Sequence, residues 1–327
     1  VQPLSIADFN PTLGGLLGLA PLLLFAYLGF EATNSASDEM KNPKHDIPVA
    51  IARSGLVSAL CYTLPILAML LVLPTKTITG IGGLLDAVKT VFTVYGPAGD
   101  VLVLLAAIMF VLILASQGAA WMIISDRMQA LTAADGAFFG GFFGRIHKGL
   151  GTPVNVNLLS GTVATVFLIA AMLLLGGSGD NPTSDAGAIF SVVLNISIST
   201  FLLSYLLIIP AAVKLRMKYP NVERPFRAPV GNAGFAVLGT IAFLWVLLGS
   251  WVTIFPGTLE RVFGLEYDFV DEWGVEQGPF TLLTIGTLVV LGALALVGYV
   301  GGRRIREVKP NLHTEALMVG FEENIGK

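Results

Sequence analysis

Charge is what this chain has least of. Of 327 residues only 13% are Asp, Glu, Lys or Arg, against about 25% in a typical soluble domain. With 54% hydrophobic residues and a mean hydropathy of +0.79, the apolar content exceeds what one water-soluble core can hide. Lipid is therefore the expected surrounding for most of it. A single cysteine, Cys61, excludes a disulfide framework and a cysteine-built zinc site; its apolar context reads as a small buried side chain. There is no basic stripe suited to nucleic acid, and the net charge of −3 says little about partners. The three histidines, His45, His147 and His313, fall in connections or the tail. No metalloprotease, nucleophile-elbow or phosphate-loop pattern occurs, so neither an enzyme nor a cofactor or metal site is expected. Residue 1 is Val and no signal peptide opens the sequence, which suggests a fragment or a processed chain.

What is present is length of apolar run. A membrane helix needs about 20 mostly apolar residues, and seven segments qualify: 12–40 (broken), 51–73, 97–124, 154–176, 186–213, 233–255 and 279–302. Pro, Gly or charge clusters bound each one. The basic residues alternate by loop. Lys41, Lys44 and Arg53; Arg127, Arg145 and Lys148; Lys214, Arg216, Lys218, Arg224 and Arg227; and Arg303, Arg304, Arg306, Lys309 and Lys327 share one side. Lys76, Lys89 and Arg261 lie opposite, with an acidic stretch at 260–276. By the positive-inside rule the C-terminal tail is cytoplasmic and Val1 is outside. An odd number of spans with an outside start fits a protein whose upstream helices are missing.

The first run raises a question. In "FAYLGFEATNSASDEMKNPKHDIP" an apolar stretch, 13–30, ends in Gly29-Phe30-Glu31 rather than at a clean boundary. Irregular backbone at membrane depth is tolerated only where protein buries it or a wet cavity borders it. Glycine allows unusual dihedrals and close approach, and a broken helix exposes main-chain dipoles to charged substrate groups. An acid inside a span is costly, so function is the default reading for Glu31; an interfacial position or a structural pairing competes with it. Pro21 reads as a kink, and Gly14-x-x-x-Gly18 as a close helix contact.

In "IMFVLILASQGAAWMIISDRMQAL", Ser116 and Gln117 are polar in mid-span. Gln117 and Trp121 are four apart, so one helical face carries an amide and an indole. Interfacial anchoring competes for Trp121, and bonding to a neighbouring helix competes for the polar pair. Asp126 and Arg127 are expected to be solvated at the helix end. Asn195, Ser197, Ser199, Thr200 and Ser204 form a further polar set. Asn195-Ile-Ser197 matches a glycosylation acceptor, but its apolar context argues for burial.

Four stretches carry a resemblance. "GFEATNSASDEMKNPKHDIPVAI" resembles the sixth membrane helix and following loop of permeases of the amino acid–polyamine–organocation superfamily. "CYTLPILAMLLVLP" looks like the seventh helix, "SDRMQALTAADGAF…GTPVN" like the end of the eighth and its loop, and "KLRMKYPNVERPFRAPVG" like the link from tenth to eleventh. The likeness covers most of 12–255.

It implies an all-α membrane protein of seven transmembrane helices: the second half of an inverted-repeat (5+5 helix) fold plus two extra helices. Residues 1–217 would be the second repeat, 218–302 the two additional helices and 303–327 a cytoplasmic tail, polar and without expected structure. It also implies roles. Phe25 falls at an aromatic gate, Gly29, Phe30 and Glu31 at an unwound substrate-facing segment, and Ser116, Gln117 and Trp121 on the substrate-facing side of helix eight. The expectation is a cell-membrane permease for an amino acid or related amine, driven by a proton, sodium or an exchanged amino acid. The rival reading is a non-transporting membrane subunit or sensor on the same scaffold.

Overall fold

The structure, a computed structural model, describes residues 12–26, 28–29, 40–72, 83–175, 182–222, 224 and 226–308. Its regular elements are helical. They are α1 (Leu13–Ala26), α2 (Pro43–Val72), α3 (Gly83–Phe92), α4 (Pro97–Ala134), α5 (Val154–Leu175), α6 (Pro182–Lys218), α7 (Asn232–Ile254), α8 (Thr258–Val262), α9 (Phe269–Trp273), α10 (Gln277–Gly301) and α11 (Arg303–Val308).

Among the described residues six helices, α2, α4, α5, α6, α7 and α10, are long and apolar enough to cross a membrane, and each falls on an expected span. The seventh differs. α1 has 14 residues, about 21 Å at 1.5 Å per residue, short of a hydrocarbon core of about 30 Å. It stops at Ala26; the rest of the expected span, 27 and 30–39, lies outside the described residues. The span 51–73 starts earlier than expected because α2 begins at Pro43, where proline's fixed φ suits a first turn. The tail read as unstructured opens with the short helix α11.

The tightest pairing is α6 with α7, and α1 lies across both. Small residues make these approaches possible, as expected where neighbouring helices gain little from the hydrophobic effect. Gly249 of α7 leaves the space that Leu24 of α1 fills, and Gly239 does the same for Val213 of α6. Leu24, Phe25 and Leu28 then pack on Ile198, Leu202 and Val246. By contrast, no part of the apolar window of α2 is buried. Cys61 on that helix is accordingly exposed. The reading of a buried cysteine is corrected: its helix lacks a covering neighbour among the described residues.

At the acidic end of the molecule, α9 folds over the ends of α5, α6 and α10, while α8 meets α1. Asp268 caps α9 by accepting from the amides of Val270 and Asp271. Phe269, Trp273 and Phe280 then close a core with Ala171, Leu175, Val192 and Ile196. Burial pushes the Tyr267 phenol up to about 12, against the Trp273 indole that donates to its oxygen at 2.7 Å.

At the opposite end, the connection 135–153 is clamped to the end of α10. Gly136 and Gly302 meet backbone to backbone with no room for a side chain on Gly302. The Phe139 amide donates to Gly298 O at 2.8 Å. Arg306 reaches back to donate to Gly136 O and to Tyr299 O, with its guanidinium 3.8 Å from the Tyr299 ring centre. Gly302→Ala is therefore expected to lower unfolding free energy by about 1–3 kcal/mol through overpacking. Gly292→Ala, inside α10 and meeting nothing within 4 Å, should not destabilise and should gain up to about 1 kcal/mol from helix propensity. Thermal unfolding of the two purified variants in detergent checks this.

Candidate functional site

Where α1 stops, the chain turns under an aromatic cluster. The Leu28 amide donates to Phe25 O at 3.1 Å, a tight i to i+3 turn. Gly29 takes φ +95°, a conformation that costs other L-residues strain. A Cβ there would lie 2.9 Å from Cη2 of Trp121. The Trp121 ring, from the middle of α4, thus covers this turn.

Phe201 of α6 stands beside both aromatics. Its ring centre is 5.3 Å from that of Trp121 and 6.2 Å from that of Phe25, at 59° and 64° between planes. Tilted and edge-to-face pairs of this kind are favoured by the ring quadrupoles. So Phe25, Gly29 and Trp121 come together, with Phe201 as the member the sequence reading missed. Its signal was weak, one aromatic among the hydroxyl residues of an apolar span. Trp121 packs inward against protein, which argues against an interfacial anchor. Ser116 and Gln117 lie one to two turns earlier on α4 and are exposed. Phe30 and Glu31 lie outside the described residues.

Two polar expectations need revision. Asp126, expected to be solvated, is 1% exposed. Ser160 of α5 donates to its Oδ1 at 2.7 Å and Ser125 at 3.2 Å. Asn157, with its amide nitrogen turned toward the acid, donates to Oδ2 at 3.0 Å and to Pro153 O at 3.2 Å. Neutral donors from α5 therefore solvate the carboxylate and tie α4 to α5, five residues from Trp121. The α6 polar set is also structural. Ser197, Ser199, Thr200 and Ser204 each donate to a carbonyl of their own helix. Asn195 is buried and donates across to Thr253 O of α7 at 2.8 Å, in keeping with rejection of the glycosylation reading.

Arg216 is buried at the far end of α6. It donates to Val230 O and Asn232 Oδ1 and stands 4.3 Å from the Phe235 ring centre. That fixes the link into α7 in which the "KLRMKYPNVERPFRAPVG" likeness was read. Among the described residues no group of three or more His, Cys, Asp or Glu is placed to hold a metal ion.

A family description, amino acid permease, matches residues 4–262. The chain belongs to the amino acid permease family. This agrees with the superfamily resemblance read from its motifs. The permease is 28% identical over 251 residues to an uncharacterized transporter of Legionella pneumophila, covering 77% of this chain and 51% of that protein. A probable agmatine/putrescine antiporter of Lactococcus lactis is 26% identical over 277 residues, 84% and 55% of the two chains. The glutamate/gamma-aminobutyrate antiporter of the same organism is 23% identical over 256 residues, 78% and 49%. The permease chain spans about half the length of these relatives. No solved structure matches it at a significant level.

Two stability effects follow from this geometry. Gly29→Ala is expected to cost about 1–2 kcal/mol from its left-handed backbone and more from contact with Trp121. Combined with Trp121→Ala it should cost less than the sum of the two single changes; thermal unfolding of all three variants tests the coupling. Asp126→Ala leaves its half-buried donors Ser160 and Asn157 without an acceptor and should destabilise by about 1–2 kcal/mol. Ser160→Ala, which removes one donor, should cost roughly half as much.

Proposed function

We propose that this permease carries an amino acid or a related amine across a cell membrane by secondary-active alternating access. Helix groups would rock about a site near the bilayer midplane. One observation carries the reading: α1 ends inside an apolar run, at a positive-φ glycine covered by Trp121. The last carbonyls of a helix lack partners within it, and they carry the negative end of its dipole. Beside aromatic faces, which attract cations, they suit the ammonium group shared by amino acids and amines. A substrate carboxylate would be received by main-chain amides of the segment that continues from Gly29.

Phe25 and Trp121, braced by Phe201, would close over the bound molecule, with Phe30, Ser116 and Gln117 bordering it. Glu31 would act as a gating or proton-sensitive group, since a charged acid at membrane depth is costly and taking up a proton relieves that cost. In this reading α1 and the residues after it form one broken span, 12–40, so that seven spans result. They divide into a five-helix repeat within 1–217 and two additional helices within 218–302, followed by a cytoplasmic tail. Antiporter relatives that handle agmatine, putrescine, glutamate and gamma-aminobutyrate support exchange over coupling to a proton or sodium.

The test is uptake of radiolabelled agmatine, putrescine, glutamate and gamma-aminobutyrate into liposomes holding the full-length protein, with unlabelled counter-substrate inside. Trp121→Ala should raise KM about tenfold, the loss of one desolvated cation–aromatic contact. Glu31→Gln should abolish the pH dependence of transport. Near-normal uptake by both variants rejects the site, and substrate binding without flux favours a subunit or sensor on a permease scaffold.

A further inference from the structure

The connection between α4 and α5 is held at a defined depth. Gly144 packs against the backbone of Ala134, the last residue of α4; a Cβ on it would lie 2.7 Å from the Ala134 nitrogen. The Asn155 side chain, in the first turn of α5, donates to Phe142 O at 2.8 Å. Phe139 bonds to Gly298 in the last turn of α10. Three apolar spans thus end at the level of residues 139–144. The loop beyond is also built. The His147 amide donates to Thr152 O and the Gly151 amide to His147 O, while His147 Nδ1 accepts from the amides of Gly149 and Leu150.

On this rigid frame large apolar side chains face outward. Phe142 is 59% exposed, Ile146 53% and Leu150 66%. Between them stand the exposed cations Arg145 and Lys148, with Arg304 on the neighbouring α11. The nearby acid Glu307 is taken up by Arg303 at 2.7 Å, and Asp135 lies at the C-terminal cap of α4. Cations alone would make a solvated loop. Exposed apolar and basic side chains interleaved at the depth where spans end match the boundary between acyl chains and phosphate headgroups.

We propose that Phe142, Ile146 and Leu150, interleaved with Arg145 and Lys148, form a seat for anionic phospholipid, the apolar side chains entering the acyl boundary and the cations meeting the phosphates. The proposal requires the chain to be embedded in a bilayer and is independent of transport. Its physical basis is additive: each basic side chain near an anionic surface contributes about fivefold in binding preference, weakened by salt.

To test it, a fluorophore is placed on Leu150→Cys in a Cys61→Ser background of the full-length protein. The protein is reconstituted in phosphatidylcholine vesicles with or without phosphatidylglycerol. Brominated phosphatidylglycerol should quench more strongly than brominated phosphatidylcholine. That preference should fall about fivefold for each of Arg145→Gln and Lys148→Gln, and should shrink with added salt in the protein carrying both cations. Equal quenching by the two lipids overturns the proposal. So does free access of aqueous iodide to the label. Shielding from both iodide and lipid overturns it as well, since protein then covers the face.

Discussion

The contact between the Trp121 ring and Gly29 governs the rest. A helix can stop within an apolar run only if the released main chain finds a place, and here the place is made by removing a side chain. At φ +95° with an indole carbon 2.9 Å from where a Cβ would sit, position 29 admits glycine and little else. Among the described residues α4 packs mainly on α3 and α5. It reaches the end of α1 and the side of α6 through the Trp121 ring, at Gly29 and at Phe201.

What keeps the ring in place lies further along α4. Helices in lipid gain little from burying apolar surface against one another, so close packing of small residues and hydrogen bonds do more of the holding. The buried carboxylate of Asp126, with donors on α5, fixes the rotation and register of α4. It does so about 7.5 Å along the axis from Trp121, five residues at 1.5 Å each. The same logic places Asn195 between α6 and α7 and Gly249 under Leu24. Each polar or small residue inside the bundle marks a helix pairing.

The spans themselves could be read from sequence because twenty apolar residues between breakers admit few alternatives. Gly29 and Trp121 were legible for a related reason, since each is out of place in a uniform apolar run. Phe201 was not, because an aromatic in an apolar span is unremarkable until a neighbour is known. Asp126 was misread for a different cause. Its sequence neighbour Arg127 and its position toward a helix end suggest solvent, while the residues that bury and bond it, Asn157 and Ser160, belong to another helix. Cys61 failed in the opposite direction, since apolar context predicts burial only where a second surface exists to provide it.

Two sets of close contacts stand out, joined at the acidic end by the core that α5, α6, α9 and α10 share. α1, α6 and α7 lock together through glycine notches and the Asn195 bond; α4 is tied to α5 by Asp126, and the loop between them is pinned to the end of α10 by Gly136, Gly302 and Arg306. Between α4 and α6, at the level of Gly29, the ring centres of Trp121 and Phe201 stand 5.3 Å apart. Aromatic faces can slide and re-tilt without breaking a hydrogen bond, whereas both interiors are held by directional bonds or by backbone in contact. At this level α4 is therefore held to α6 by ring contacts rather than by hydrogen bonds, and the end of α1 lies beside them.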